Sequence, residues 1–203
     1  NAVGKFLSQD LRLALGTPVT AVRKTSTGWL LKGDTGQYLG QFDCVVSAIP
    51  AQQAAALWPE DTSFYTKVKT AQMEGCFTLM LGFEASFALD YQAALVRGED
   101  ISWISVNSSK PDRNAATSLL VHSSNDWATQ HDSMDRNEAL RYLLEQVSLV
   151  TGQNISHADH KAIHQWRYAN CQKRTGETHF IDHASKSGAC GDWLIRGRVE
   201  ASF

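Results

Sequence analysis

The chain has 203 residues, room for one or two domains, and a folded chain of that size buries roughly 70% of the surface it exposes when unfolded. Nineteen Lys and Arg against twenty-one Asp and Glu leave a net charge of -2, without the basic excess that draws a chain to nucleic acid or an anionic membrane. No apolar run approaches the ~20 residues of a membrane helix, so no nucleic-acid or membrane partner is expected.

Val3, Phe6, Leu7 and Leu11 recur at helical spacing and predict a short amphipathic helix with one buried stripe. The period then changes. Leu13 and Leu15, then Val19 and Val22, alternate around Gly16-Thr17-Pro18 and predict two short strands with a turn between them. Trp29 to Lys32 and Gln37 to Phe42 flank Gly33-Asp34-Thr35-Gly36, a hairpin signal because glycine reaches the positive φ of a tight turn. Cys44 to Ile49 lacks alternation and reads as a parallel strand covered on both faces. An Ala-rich helix from Ala51 to Leu57 follows, and the Trp58-Pro59-Glu60-Asp61 break marks a domain boundary nearby.

Cys76 to Phe83, Ala94 to Val96, Ile101 to Val106 and Thr117 to His122 are short β-rich runs separated by turn residues, the pattern of an antiparallel sheet. Asp135 to Glu138 resembles a capping box, and Leu140, Leu143, Leu144 and Val147 carry a helix to Gly152. Ala162 to Ala169 reads as a strand with His164, Trp166 and Tyr168 on one face and Ile163, Gln165 and Arg167 on the other.

Three chemistries compete. His157, His160 and His164 have metal-like spacing, but His164 falls in the strand pattern and no carboxylate completes a set, so no metal is expected. No Gly-x-Ser-x-Gly elbow is present, and Cys190 beside a glycine reads as a small buried thiol. Gly188-Ala189-Cys190-Gly191-Asp192 places a carboxylate at a strand end, where it can accept hydrogen bonds from sugar hydroxyls.

The order of motifs favours the last. Gly16 to Val22, Phe42 to Gln52, Ser102 to Ile104 with Asn107 to Pro111, His164 to Ala169, and Gly188 to Asp192 with Gly197 to Ala201 occur along nearly the whole chain in the order found in the flavin-containing amine oxidase superfamily. In this the chain resembles that superfamily, and more closely its renalase-like bacterial branch.

The resemblance implies FAD as cofactor, contacted by Val19, Gly191, Asp192, Arg198, Val199 and Glu200. It also implies a small-molecule substrate lined by Asn107, His164, Trp166 and Tyr168, with catalytic residues unassigned. The implied reaction is hydride transfer from an amine or dihydronicotinamide-like donor to flavin, then to oxygen. The Gly-x-Gly-x-x-Gly segment that grips the pyrophosphate is missing from this sequence. The chain therefore reads as a fragment whose partner is the missing N-terminal part of the same protein, inactive and colourless by itself.

The expected fold is α+β: a partial FAD-binding domain over 1–50, a substrate-binding domain over 51–186 built on an antiparallel sheet with helices on one side, and a return to the FAD-binding domain over 187–203. Four cysteines without C-x-x-C pairing suit a reducing, cytoplasmic setting. A non-catalytic α+β module that holds a ligand at the Asn107 to Lys110 loop is the alternative, and a histidine-dependent metal hydrolase a distant third.

Overall fold

The computed structural model describes residues 2–85, 87–113, 116–171 and 176–195. In chain order the elements are α1 (Ala2–Leu7), β1 (Val19–Thr25), β2 (Gly28–Gly33), β3 (Tyr38–Phe42), β4 (Val45–Ser47), α2 (Ala51–Leu57) and α3 (Tyr65–Lys69). Next come β5 (Met73–Phe83), β6 (Ala93–Leu95), β7 (Ile101–Val106), β8 (Thr117–Ser123), α4 (Asn125–Gln130), α5 (Arg136–Thr151), β9 (His160–Cys171), β10 (His179–Asp182) and β11 (Ser187–Cys190). The fold is α+β, and among the described residues all but one of the strand pairings are antiparallel. None of the described helices is long and apolar enough to cross a membrane.

The chain divides into two compact units: Asn1–Thr70 with His179–Gly191, and Ala71–Thr178 with the chain from Asp192. In the first unit, β1, β2 and β3 form an antiparallel ribbon and β10, β11 and β4 a second sheet. Its core is aromatic. Trp58 meets Trp29 and Phe64 edge-on at 5.2 Å each, and Phe64 stacks on Phe180 at 6.2 Å. Trp58, expected at a boundary, is instead buried, with its indole N–H donating 2.8 Å to Ser47 Oγ. The first unit thus runs on through α3 to Thr70, past the expected break near Trp58.

Two expectations for this region do not hold. Val3, Phe6, Leu7 and Leu11 are all exposed, because no described element packs on the stripe of α1. Leu13 and Leu15 form no strand: β1 begins only at Val19 and takes its partner from β2, so nothing pairs with the chain before the turn.

The second unit is a five-stranded sheet in the order β6-β7-β8-β5-β9. Period-two alternation along β5 sends Phe77, Leu79, Leu81 and Phe83 to one face. There they pack with Trp127 of α4 and with Ala139, Leu143 and Val147 of α5. Asp135 caps α5 by accepting from the N–H groups of Asn137 and Glu138 at 2.9 and 3.2 Å. Gly152 ends it at φ 67, a left-handed conformation in which a side chain is strained. Both helices lie on one face; the other carries exposed Met80 and His164 but also the buried side chains of Cys76 and Thr78.

Candidate functional site

On the face away from the helices β5 presents Cys76, Thr78, Met80 and Gly82, of which Cys76 and Thr78 are buried. Register fixes their neighbours: Thr78 lies opposite His122 of β8 on one side and His164 of β9 on the other, and His122 lies opposite Trp103 of β7. His164 touches Trp166 edge-on with ring centroids 4.3 Å apart. Trp166 is 54% exposed, a large indole surface facing solvent.

His122 is half-buried, and that burial, helped by the Lys110 ammonium, holds its imidazole below the ordinary histidine value. His122, Thr78 and Trp103 escaped the sequence reading. Alternation showed which positions of each strand share a face, but which strands are neighbours is settled only by the sheet order.

Of the four substrate-lining residues expected, the structure brings His164 and Trp166 together. Tyr168 follows them into a bulge. Between the pairs Cys76–Trp166 and Glu74–Asn170, β9 spends two more residues than β5, so the strict alternation that put Tyr168 on the same face is broken before it is reached.

Asn107 sits elsewhere, in the 3-10 turn Asn107–Ser109 after β7, where it lines a cavity of about 440 Å³ with Ser108, Arg113, Glu84, Asp159 and His160. Ser108 Oγ accepts from the Ser118 N–H at 3.2 Å, and Asp159 Oδ2 accepts from the Glu84 N–H at 2.8 Å. His160, beside this cavity, and His164 are four residues apart on one strand, about 13 Å at the usual rise. His157 lies off the strand against the rings of Phe83 and Phe87, at 5.5 and 6.0 Å. The three histidines do not converge, and no group of three or more metal-ligating side chains does so among the described residues.

Of the residues expected on the cofactor side, the first unit holds Val19 and Gly191, and the second begins again at Asp192. Val19 opens β1 opposite Gly33 and is partly exposed. β4 and β11, drawn from distant parts of the chain, pair in parallel through Val45–Ser187, Val46–Gly188 and Ser47–Ala189. Their carboxyl ends therefore lie side by side, continuing into exposed Ala48 and half-buried Gly191. Asp192 comes next, and its carbonyl accepts from the Cys171 thiol at 3.2 Å. Arg198, Val199 and Glu200 lie outside the described residues.

One face of this parallel pair is covered and the other is not. Ser47, Ala189 and Phe180 are buried, whereas Val46 is 61% and Ile181 57% exposed. The expectation of a strand covered on both faces fails here, because no described element lies over Val46. Gly188 sits between Val46 and Ile181, and a Cβ there would come within 2.9 Å of the Phe180 carbonyl oxygen. The open face lines a cavity of about 370 Å³ with Cys44 and Cys190; Cys190 is half-buried rather than buried as expected, because its strand ends at that edge.

Solved structures share this fold. A protein assigned as a protoporphyrinogen oxidase, from Exiguobacterium sp., superposes with a TM-score of 0.75 at 15% identity, over 95% of this chain and 46% of its own. Cyclohexylamine oxidase from Brevibacterium oxydans gives 0.73 at 13% identity, over 99% of this chain and 49% of its own. A putrescine oxidase bound to putrescine gives 0.54 at 14% identity, over 79% and 36%. The chain spans about half the length, or less, of these structures. The model of the flavin-containing amine oxidoreductases matches residues 2–194, nearly the entire sequence. The chain belongs to that family.

Proposed function

We propose that this chain is part of a flavoprotein oxidoreductase of the renalase-like branch, which takes a hydride from an amine or dihydronicotinamide-like donor and passes the electrons to oxygen. The single observation that carries this reading is the parallel pairing of β4 with β11. A chain that leaves one sheet, builds a separate antiparallel unit and returns beside its starting strand supplies adjacent strand carboxyl ends, the location where open α/β sheets bind nucleotides.

The family uses FAD, and the residues present suit one side of such a group. The strand ends carry Ala48 and Gly191, small enough to expose backbone to a nucleotide, and a carboxylate follows at Asp192. Val19, Gly191 and Asp192 would hold the cofactor, together with Arg198, Val199 and Glu200. Bound FAD supplies a two-electron acceptor. Within the second unit, the sheet face away from the helices carries groups able to orient a donor: Trp166 a flat apolar surface, His164 and His122 ring nitrogens. Hydride transfer from an electron-rich donor depends on positioning and on a dry site.

In this reading the missing N-terminal part of the same protein completes the cofactor cradle, and the 203-residue chain alone is colourless and inactive. The unbridged thiols of Cys44, Cys76 and Cys190 support a reducing, cytoplasmic setting. The test is to express the chain extended at both ends and record its visible spectrum. Flavin absorption that is lost in Asp192→Ala supports the proposal. A colourless, folded extended protein overturns it and favours the non-catalytic module, with the cavity beside Asn107 as its ligand site.

A further inference from the structure

Three strands of the second unit meet at the cavity beside Asn107. Ser118 of β8, Gly82 of β5 and His160 of β9 lie directly opposite one another and form a row across the sheet. Glycine leaves the middle of that row without a side chain, and the space above it belongs to the cavity of about 440 Å³.

The two sides of the gap differ in charge. At the β5 and β9 ends the Asp159 N–H donates to the Gly82 carbonyl at 2.9 Å, and Asp159 Oδ2 accepts from the Glu84 N–H at 2.8 Å. Two carboxylates are thereby tied to one corner. From the β7–β8 connection come Asn107 and Arg113. Ser108 Oγ, accepting from the Ser118 N–H at 3.2 Å, pins the Asn107–Ser109 turn to β8, and Asp112 at φ 58 turns the chain just before Arg113. Among the described residues the side chains of Arg113, Glu84 and Asn107 make no hydrogen bond or ion pair, and neither does Asp159 Oδ1. Charges of both signs therefore line one cavity without neutralising each other. Neighbouring strands are about 4.8 Å apart, so β8 and β9, on either side of β5, put about 10 Å between the two sides.

We propose that this cavity binds a small extended zwitterion, a carboxylate and a primary ammonium joined by a chain of several methylenes, as in an ω-amino acid. The planar fork of Arg113 takes the carboxylate with the Asn107 amide beside it, Glu84 and Asp159 take the ammonium, and the methylenes cross Gly82. Simpler ligands fit less well. A monoamine leaves the Arg113 cation unpaired beside it, and an alkyl carboxylate meets two carboxylates. The charges of a compact α-amino acid are too close together to reach both sides. A metal ion faces the guanidinium, and no group of three metal-ligating side chains is placed to hold one among the described residues. The site needs no flavin and stands apart from the reading above.

NMR titration of the 203-residue chain with 6-aminohexanoate tests this, against hexanoate and hexylamine, which keep the methylene chain and lack one charge each. The expected result is binding of 6-aminohexanoate about tenfold tighter than either, with shifts at the amides of Glu84, Ser118 and His160. Arg113→Gln abolishes the preference over hexylamine and keeps that over hexanoate, whereas Glu84→Gln reduces the preference over hexanoate and keeps that over hexylamine. Both side chains are exposed and hold nothing else in place, so circular dichroism should show an unchanged fold. Asp159 is left intact because it holds the Glu84 amide. Equal affinity for the three probes overturns the proposal. So does the absence of shifts around Gly82 at millimolar 6-aminohexanoate, or a pair of preferences that survives both substitutions.

Discussion

The indole N–H of Trp29 donates a 2.7 Å hydrogen bond to the carbonyl of Ser185, tying the β1–β2–β3 ribbon to the turn between β10 and β11. The same indole meets Trp58 edge-on, so one side chain joins both sheets of the first unit to its aromatic core. Trp29→Phe keeps most of the packing but leaves the Ser185 carbonyl unpaired, and should cost about 1–3 kcal/mol. Trp29→Ala also opens a cavity and should cost about 3–5 kcal/mol. Urea unfolding followed by circular dichroism separates the two; equal losses would mean that the hydrogen bond, not packing, is the larger contribution.

Asp182 gives a pH signature. Hydrogen bonds from the Ser185 backbone N–H at 3.0 Å and the Ser63 hydroxyl at 2.9 Å hold its carboxyl down from 3.8 to about 2. A carboxyl whose pKa is depressed by folding adds stability above its unfolded value, and that stability is lost as the pH falls through the folded one. The difference in melting temperature between the wild-type chain and Asp182→Asn should be constant above pH 3.8 and vanish as the pH approaches about 2. A gap that persists to the acid end would remove the carboxylate from the explanation.

The ends of α5 predict two losses of different origin. Asp135→Ala removes an oxygen that satisfies two amide N–H groups and should cost about 1 kcal/mol. Gly152→Ala meets no neighbour within 4 Å, so its penalty, about 1 kcal/mol, is purely the strain of a side chain at positive φ. Chemical denaturation midpoints measure both, and Gly152→Asn should recover part of the second loss, since asparagine tolerates that conformation.

Thiol labelling distinguishes the cysteines. Cys44 is exposed, whereas Cys76 is buried and that burial pushes its thiol up from 9.0 despite contacts with Ser123. Native protein at neutral pH should lose Cys44 to iodoacetamide first and retain Cys76 until it unfolds, as read by peptide mass spectrometry. Early modification of Cys76 would show that the face around Thr78 opens readily.

Much of the fold was legible where local chemistry is decisive. The Asp135 and Gly152 caps located α5, the Gly33 to Gly36 turn located the β2–β3 hairpin, and Ala51 to Leu57 is a helix with the expected limits. What escaped depends on partners far along the chain. Trp58 looks like punctuation beside Pro59, yet it is core because Trp29 and Phe64 enclose it. α1 had the right period, but a stripe is buried only if something packs on it. The candidate site followed the same logic: His164 and Trp166 share one strand and could be paired by alternation, whereas His122 and Thr78 become neighbours only through the sheet order. Tyr168 falls in a bulge, which leaves no trace in a two-residue period.

The parallel register of Val46 with Gly188 also governs how the molecule is made. When β4 emerges from a ribosome its partner strand has not yet been synthesised, and the whole five-stranded unit is translated before that partner appears. Until then the hydrogen-bonding edge of β4 and the Val46 side chain are open to any passing strand, the kind of exposure that seeds aggregation. Slow elongation through residues 71–178, or a chaperone bound near residue 46, would therefore govern yield more strongly than the final stability of either unit.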